Sequence, residues 1–227
     1  MPSRRAQPTP ATRVFFVRHG TTPTTGKVLP GRTPGLQLSE QGIAEATRAG
    51  ERLAAVGASA LYTSPLERTR ETAAAIAKHV NLRPVSDRGL LECDFGEWTG
   101  RQLMELAKLP EWSVVQHHPS GFRFPGGESF AELRARIAGA LERLVTKHAG
   151  ESIIVVSHAD PIKIAIGDAI GQPLDLVQRI VVAPCSISVV AYGAGAPSVL
   201  TTSSSEDLAG LARGPQANGA SRERKGV

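Results

Sequence analysis

Four apolar, β-prone residues in a row, Val14-Phe15-Phe16-Val17, constrain this chain more than any other stretch. A run without polar alternation reads as a strand covered on both faces, as in a sheet sandwiched between helices. The strand stops at Arg18-His19-Gly20, because Thr21-Thr22-Pro23-Thr24-Thr25-Gly26 cannot extend it. A cation and an imidazole therefore fall at a strand's carboxyl end, the edge where open α/β sheets bind ligands.

Three later segments repeat the design, each placing ionisable groups after an apolar run. They are Leu61-Tyr62-Thr63-Ser64-Pro65-Leu66-Glu67-Arg68, Leu90-Leu91-Glu92-Cys93-Asp94-Phe95-Gly96-Glu97-Trp98 and Ile153-Ile154-Val155-Val156-Ser157-His158. Two histidines, two arginines and a carboxylate at one sheet edge suit phosphate chemistry. Arginines hold phosphate oxygens bidentately, a neutral imidazole can attack phosphorus, and a protonated carboxyl can release the leaving group.

In chain order, residues 1–11 read as a disordered leader, 12–202 as one domain and 203–227 as a flexible tail. A Thr-, Pro- and Gly-rich loop from the first strand to Leu38 is long enough to wrap a site. Ser39 caps a helix over about 40–56 with a stripe of Ile43, Ala46, Gly50 and Leu53. After a strand over 58–63, Ser64, Pro65 and Glu67 form a capping box with Pro65 as first helical residue. The buried stripe of that helix is Leu66, Ala73, Ile76 and Val80.

A strand at 84–87 and a short helix near 99–107 follow, and Pro110 to Gly127 reads as a second long loop. Glu128 or Ser129 opens the strongest helix, with Phe130, Leu133, Ile137, Leu141 and Leu144 at spacings of three and four. Ser152–Ser157 is another fully buried strand. Asp160 then caps a helix whose first residue is Pro161, and strands at 187–192 and 198–202 form a hairpin over Gly193-Ala194-Gly195. Strands alternating with helices predict a three-layer α/β/α sandwich around a mostly parallel central sheet.

Taken together, the four segments resemble the histidine phosphatase superfamily, also called the phosphoglycerate mutase-like family, from about Arg13 to Tyr192. Within it, Ser157 to Val182 is similar to an actinobacterial branch. Residue chemistry alone makes His19 the candidate nucleophile and Arg18 and Arg68 the phosphate clamp, with His158 a further cationic or hydrogen-bonding group. It leaves Glu92, Asp94 and Glu97 as rival proton donors. The resemblance selects Glu92, because family members carry a glutamate there before a Phe-Gly-x-Trp turn.

The resemblance implies one late antiparallel strand and hydrolysis of a small phosphorylated metabolite through a phosphohistidine. It leaves two alternatives: a mutase returning the phosphoryl group to a sugar acid, and a non-catalytic phosphate-binding module. Where many relatives have Glu and Asn after Arg-His-Gly, this chain has Thr21 and Thr25, and where they have a glycine after the second histidine it has Ala159. The Thr25 hydroxyl and the Ala159 N–H still offer hydrogen bonds to phosphate.

Composition enters by exclusion. The net charge of +5 is carried partly by the termini, with no basic helical stripe or basic run interleaved with aromatics, so no nucleic-acid partner is predicted. No apolar run approaches the ~20 residues of a membrane span, and residues 1–12 lack a signal-peptide apolar core, so the expectation is a cytoplasmic protein without a membrane partner. Cys93 and Cys185 have no paired spacing and read as small buried hydrophobes. With no His-Glu-x-x-His, and His117-His118 adjacent, neither a metal nor another cofactor is expected. Lys27, Arg32, Arg123 and Lys163 are candidates for a second anionic group on the substrate, and Arg70 for a surface ion pair. Nothing in the sequence sets an oligomeric state.

Overall fold

A computed structural model describes residues 10–205; the remainder of the expected leader and tail lies outside the described residues. Six strands form one sheet: β1 (Thr12–Arg18), β2 (Ala60–Thr63), β3 (Pro84–Ser86), β4 (Ser152–Ser157), β5 (Ile187–Tyr192) and β6 (Ser198–Ser204). Their order is β3-β2-β4-β1-β5-β6. The first four neighbours pair in parallel. β5 runs antiparallel to both β1 and β6, so it alone opposes the rest.

Helices cover both faces, α1 (Glu40–Leu53) and α2 (Glu67–Val80) on one, α5 (Phe130–Lys147) and α6 (Ala159–Ala169) on the other. The central strands serve both layers. Val14, Phe16, Ile153 and Val155 pack with Leu133, Ile137 and Ile162. Val17, Ile154 and Val156 pack with Leu53, Ala73 and Ile76. This is the three-layer sandwich expected, and it explains why β1 and β4 are apolar at every core position.

Register sets the site. Arg18 pairs with Ser157 and Thr63 with Val156, so β1, β4 and β2 end level. Main-chain bonds extend that alignment: the His19 N–H donates to the Ser157 carbonyl at 2.9 Å, and the Ser64 N–H to the Val156 carbonyl at 3.0 Å. The loop after His19 lies directly on the start of α1. A Cβ on Gly20 would come within 2.5 Å of the Gly42 carbonyl oxygen, so only glycine allows that approach. Ser39 caps α1 as expected, its hydroxyl accepting from the Gly42 N–H. The buried stripe is Gly42, Ala46, Ala49, Gly50 and Leu53, whereas Ile43 is exposed.

Three local expectations are corrected. The capping box at Ser64-Pro65-Glu67 does not form, and α2 starts at Glu67 with Leu66 as an uncapped N-cap. Ser64 is committed elsewhere: its carbonyl accepts from the Thr69 hydroxyl and its own hydroxyl bonds His158. Its α2 stripe shifts accordingly, burying Arg68, Thr69, Thr72, Ala73 and Ile76 while Leu66 and Val80 are only half-buried.

Second, the expected loop at 110–127 contains a helix, α4 (Pro110–His117), after a single turn of helix, α3 (Leu103–Leu106). Pro110 starts α4 at the position proline favours, and Trp112 and Val115 supply an inward face too short to register as a period. Third, α6 begins two residues earlier than expected, with His158 rather than Asp160 at the cap and Ala159 as first helical residue. α5 matches its expected stripe, and Ser129 and Glu132 form a full capping box.

Candidate active site

His19, at the end of β1, is 4% exposed. Its Nδ1 lies 2.8 Å from the Gly20 carbonyl, which can only accept, so Nδ1 carries the proton. Nε2 then carries the unprotonated lone pair, and the Arg68 Nε–H donates to it at 3.3 Å. Burial, reinforced by the Arg18 and Arg68 charges, holds the imidazole pKa well below its ordinary value. The ring is neutral, with its lone pair presented and its tautomer fixed.

His158 is fully buried, its ring centroid 5.3 Å from that of His19. Its Nε2 is 2.8 Å from the Ser64 hydroxyl. Burial, then Arg68, keeps it uncharged too. If the Ser64 hydroxyl donates to Nε2, Nδ1 carries the hydrogen and becomes a donor. Arg68, also fully buried, is braced by a 2.7 Å bond from Nη2 to the Gly31 carbonyl. Arg18 donates from Nη1 to the Val182 carbonyl at 2.7 Å.

Among the described residues, three buried side-chain nitrogens lack any hydrogen-bond partner: Arg18 Nε, Arg68 Nη1 and His158 Nδ1. Leaving such groups unpaired costs about 1–3 kcal/mol each, so their coincidence at one sheet edge marks a place built for an acceptor. A cavity of about 440 Å³ opens there, lined by Arg18, His19, Thr25, Glu92, Ala159 and Asp160 among others.

Glu92 completes the inner wall and is 6% exposed. Burial, and next the Asp160 carboxylate, push its pKa up from 4.5 to about 7, against the pull of Arg68 and Arg18. Its Oε1 accepts from the Cys93 N–H at 3.0 Å. Its carbonyl is pinned by Arg32 Nε at 2.9 Å and Arg136 Nη2 at 3.2 Å. Both arginines in turn grip Glu128. The following turn is seated by another glycine: a Cβ on Gly96 would strike the Pro125 carbonyl oxygen at 2.0 Å.

The seven residues expected to act on or bind the phosphate, Arg18, His19, Thr25, Arg68, Glu92, His158 and Ala159, thus gather at one edge. Thr25 lines the cavity with its hydroxyl accepting from the Thr22 N–H, and Ala159 contributes the first turn of α6. The rival carboxylates are elsewhere engaged or exposed: Asp94 accepts from the Gly96 N–H and pairs with Arg32, while Glu97 points to solvent. Arg70 is exposed. Sequence reasoning missed Ser64 as the partner of His158 and Asp160 as a cavity wall. Both looked like helix caps, and no local pattern reports a bond spanning 94 residues.

Among the described residues, no three His, Cys, Asp or Glu side chains cluster as a metal site, and no helix is long and apolar enough to cross a membrane. Both cysteines are buried and unpaired.

Two imidazoles, two guanidiniums and a carboxyl whose pKa burial raises to about 7 thus meet at one edge of a three-layer α/β/α sandwich. The model of the histidine phosphatase superfamily (branch 1) matches residues 14–204, and the chain belongs to that family.

Its relatives narrow the neighbourhood. A bifunctional protein of Mycobacterium tuberculosis is 34% identical over 193 residues, 83% of this chain and 52% of that one. The chain therefore spans about half the length of the mycobacterial relatives it matches. Phosphoserine phosphatase 1 of Hydrogenobacter thermophilus is 35% identical over 138 residues, covering 59% of this chain and 65% of that protein. A probable phosphoglycerate mutase of Klebsiella pneumoniae is 32% identical over 183 residues, 79% and 85% of the two chains. A solved structure from Bacillus stearothermophilus shares the fold with a TM-score of 0.80 at 26% identity, covering 86% of this chain and 98% of the other.

Proposed function

We propose that the protein is a phosphomonoester hydrolase working through a phosphohistidine on a small phosphorylated metabolite. The observation that carries this reading is the trio of unpartnered buried nitrogens on Arg18, Arg68 and His158, set around His19 Nε2, whose lone pair is met in the protein only by the Arg68 Nε–H. A phosphoryl group is the acceptor that such a cradle fits, since its oxygens carry the charge that spreads in the transition state.

In the first step His19 Nε2 bonds to phosphorus, the bond to the ester oxygen breaks, and Glu92 passes its proton to the departing alkoxide, releasing an alcohol. In the second, the Glu92 carboxylate takes a proton from water, the resulting hydroxide bonds to phosphorus, and the P–N bond breaks. Inorganic phosphate leaves, and both groups return to their starting forms. A carboxyl poised at about 7 can serve in both directions near neutral pH. Thr25 and the Ala159 N–H supply further hydrogen bonds to the phosphoryl oxygens.

The reaction is independent of metal because two guanidiniums supply the charge a cation would otherwise provide. The setting is cytoplasmic, in keeping with two unpaired cysteines. Hydrolysis is favoured over mutase transfer because residues 101–127 fold into α3, α4 and a turn, without the longer arginine- and proline-rich segment that covers mutase sites. The test is phosphate release from a panel of phosphorylated metabolites with and without chelator. Release unaffected by chelator and abolished by His19→Ala is expected. Full activity in His19→Ala would end the reading.

A further inference from the structure

Beside the groups of the phosphate cradle, the cavity is lined by apolar side chains and by a cation that is already paired. Phe95, Phe124 and Phe130, all buried, line the cavity together with Trp112 and Val115 of α4. Val181, 72% exposed, lines it as well, next to Ile180 and Val182.

Among the described residues, the four cations singled out in the sequence for a second anion are either paired or outside the cavity lining. Arg32 is spent on the Glu92 carbonyl, Asp94 and Glu128, and Arg123 on Glu132 and the Gly127 carbonyl. Neither lines the cavity, nor does Lys27. Lys163 does line it, but its ammonium lies 3.1 Å from Asp160 Oδ1 and 2.8 Å from Gln178 Oε1. All three members of that chain border the cavity, so among the described residues the one lysine of its lining is already paired. A second carboxylate or phosphate on the substrate would have to shed its water against Asp160 and aromatic carbon.

Resting on the hydrolase reading, we propose that the site takes monoesters of neutral, largely apolar alcohols and that the Asp160–Lys163–Gln178 chain selects against substrates with a second anionic group. The phosphoryl group is the one charged anchor. The leaving alcohol is held by area buried against aromatic and aliphatic carbon rather than by ion pairing.

The experiment compares kcat/KM for 2-phenylethyl phosphate, O-phosphoserine and 3-phosphoglycerate, all esters of primary alcohols, so that leaving-group chemistry is matched. The apolar ester is expected to lead by about tenfold or more, the scale on which a buried apolar group discriminates. Parity, or a lead for either carboxylated ester, overturns the proposal.

In Asp160→Asn the Lys163 charge is freed and a like charge removed, and the lead should shrink by about tenfold. A change in Glu92 protonation would scale all three esters together, so the ratio isolates selection. An unchanged ratio overturns the part assigned to the chain. Calorimetric binding of 2-phenylethylphosphonate and 3-phosphonopropionate separates this proposal from the hydrolase reading. Tighter binding of the apolar phosphonate supports it even if no ester is cleaved, and tighter binding of the carboxylated one overturns it.

Discussion

Glu92 is buried at a cost in stability, and that cost can be measured. Burial and the Asp160 charge hold its carboxyl protonated up to about 7 instead of the ordinary 4.5. Between those two values the folded protein keeps a proton that the unfolded chain has released. Stability therefore falls as pH rises through this window and levels off above it. At about 1.4 kcal/mol per pH unit, the full loss is about 3 kcal/mol.

Glu92→Gln removes the ionisation while keeping the shape and an oxygen that can accept from the Cys93 N–H. The variant is expected to match the parent at pH 4.5 and to exceed it by about 3 kcal/mol at pH 8, or by roughly 6–12 °C in Tm for a chain of this size. The same change should lower kcat on an alkyl phosphate by about 10²–10⁴-fold, because the alkoxide then departs unprotonated. Urea titrations at the two pH values, paired with phosphate-release assays, read both effects. A variant no more stable than the parent at pH 8, or equally stabilised at both pH values, would refute the account of a strained, protonated carboxyl.

The pH profile of the parent should carry the same signature: kcat/KM on an alkyl ester falls about tenfold per pH unit above about 7 as Glu92 ionises. On the acid side His19 should hold activity well below the usual histidine range, because its pKa is lowered and it stays neutral. A bell centred on 6.5 with its acid limb set by histidine would contradict this. Arg68→Lys keeps the charge but cannot brace Gly31, meet His19 and face the phosphate at once, so kcat/KM should drop about 100-fold. Ser64→Ala removes the partner of His158 Nε2 and should lower kcat about tenfold with little change in KM, since it acts by positioning. Unchanged kcat would return Ser64 to a purely structural role.

The parts of the molecule legible in the sequence are those where one physical signal dominates. β1 and β4 announced themselves because a strand covered on both faces has no polar position to interrupt it. α5 did so because five apolar residues recur at helical spacing over a long stretch. The ends of β1 and β4 carried Arg18-His19 and His158 with them, so the sheet edge and the inner site followed.

What stayed hidden was decided by contacts distant in sequence. Ser64 satisfied a local capping pattern, yet His158 claims its hydroxyl and the helix begins three residues later. Asp160 likewise had the profile of a cap, but its side chain turns to Lys163 at the cavity. α4 rests on little beyond Trp112 and Val115 packed against the core, too few residues to distinguish a helix from a loop. Ile43 fitted the stripe of α1 by spacing. The close contact of Gly42 with the loop after His19 rotates that helix so that Gly42, not Ile43, faces inward.

The claim on which all of this depends is that the imidazole of His19 becomes covalently phosphorylated. Rapid mixing with an alkyl phosphate, quenching in base, and mass spectrometry of the digested protein measure it directly. The account predicts a phosphoryl group that is stable to alkali, labile to acid, located on His19 and absent from His19→Ala. Substrate turnover by the parent with no phosphoprotein on the reaction timescale, or with the label on any other residue, would contradict it.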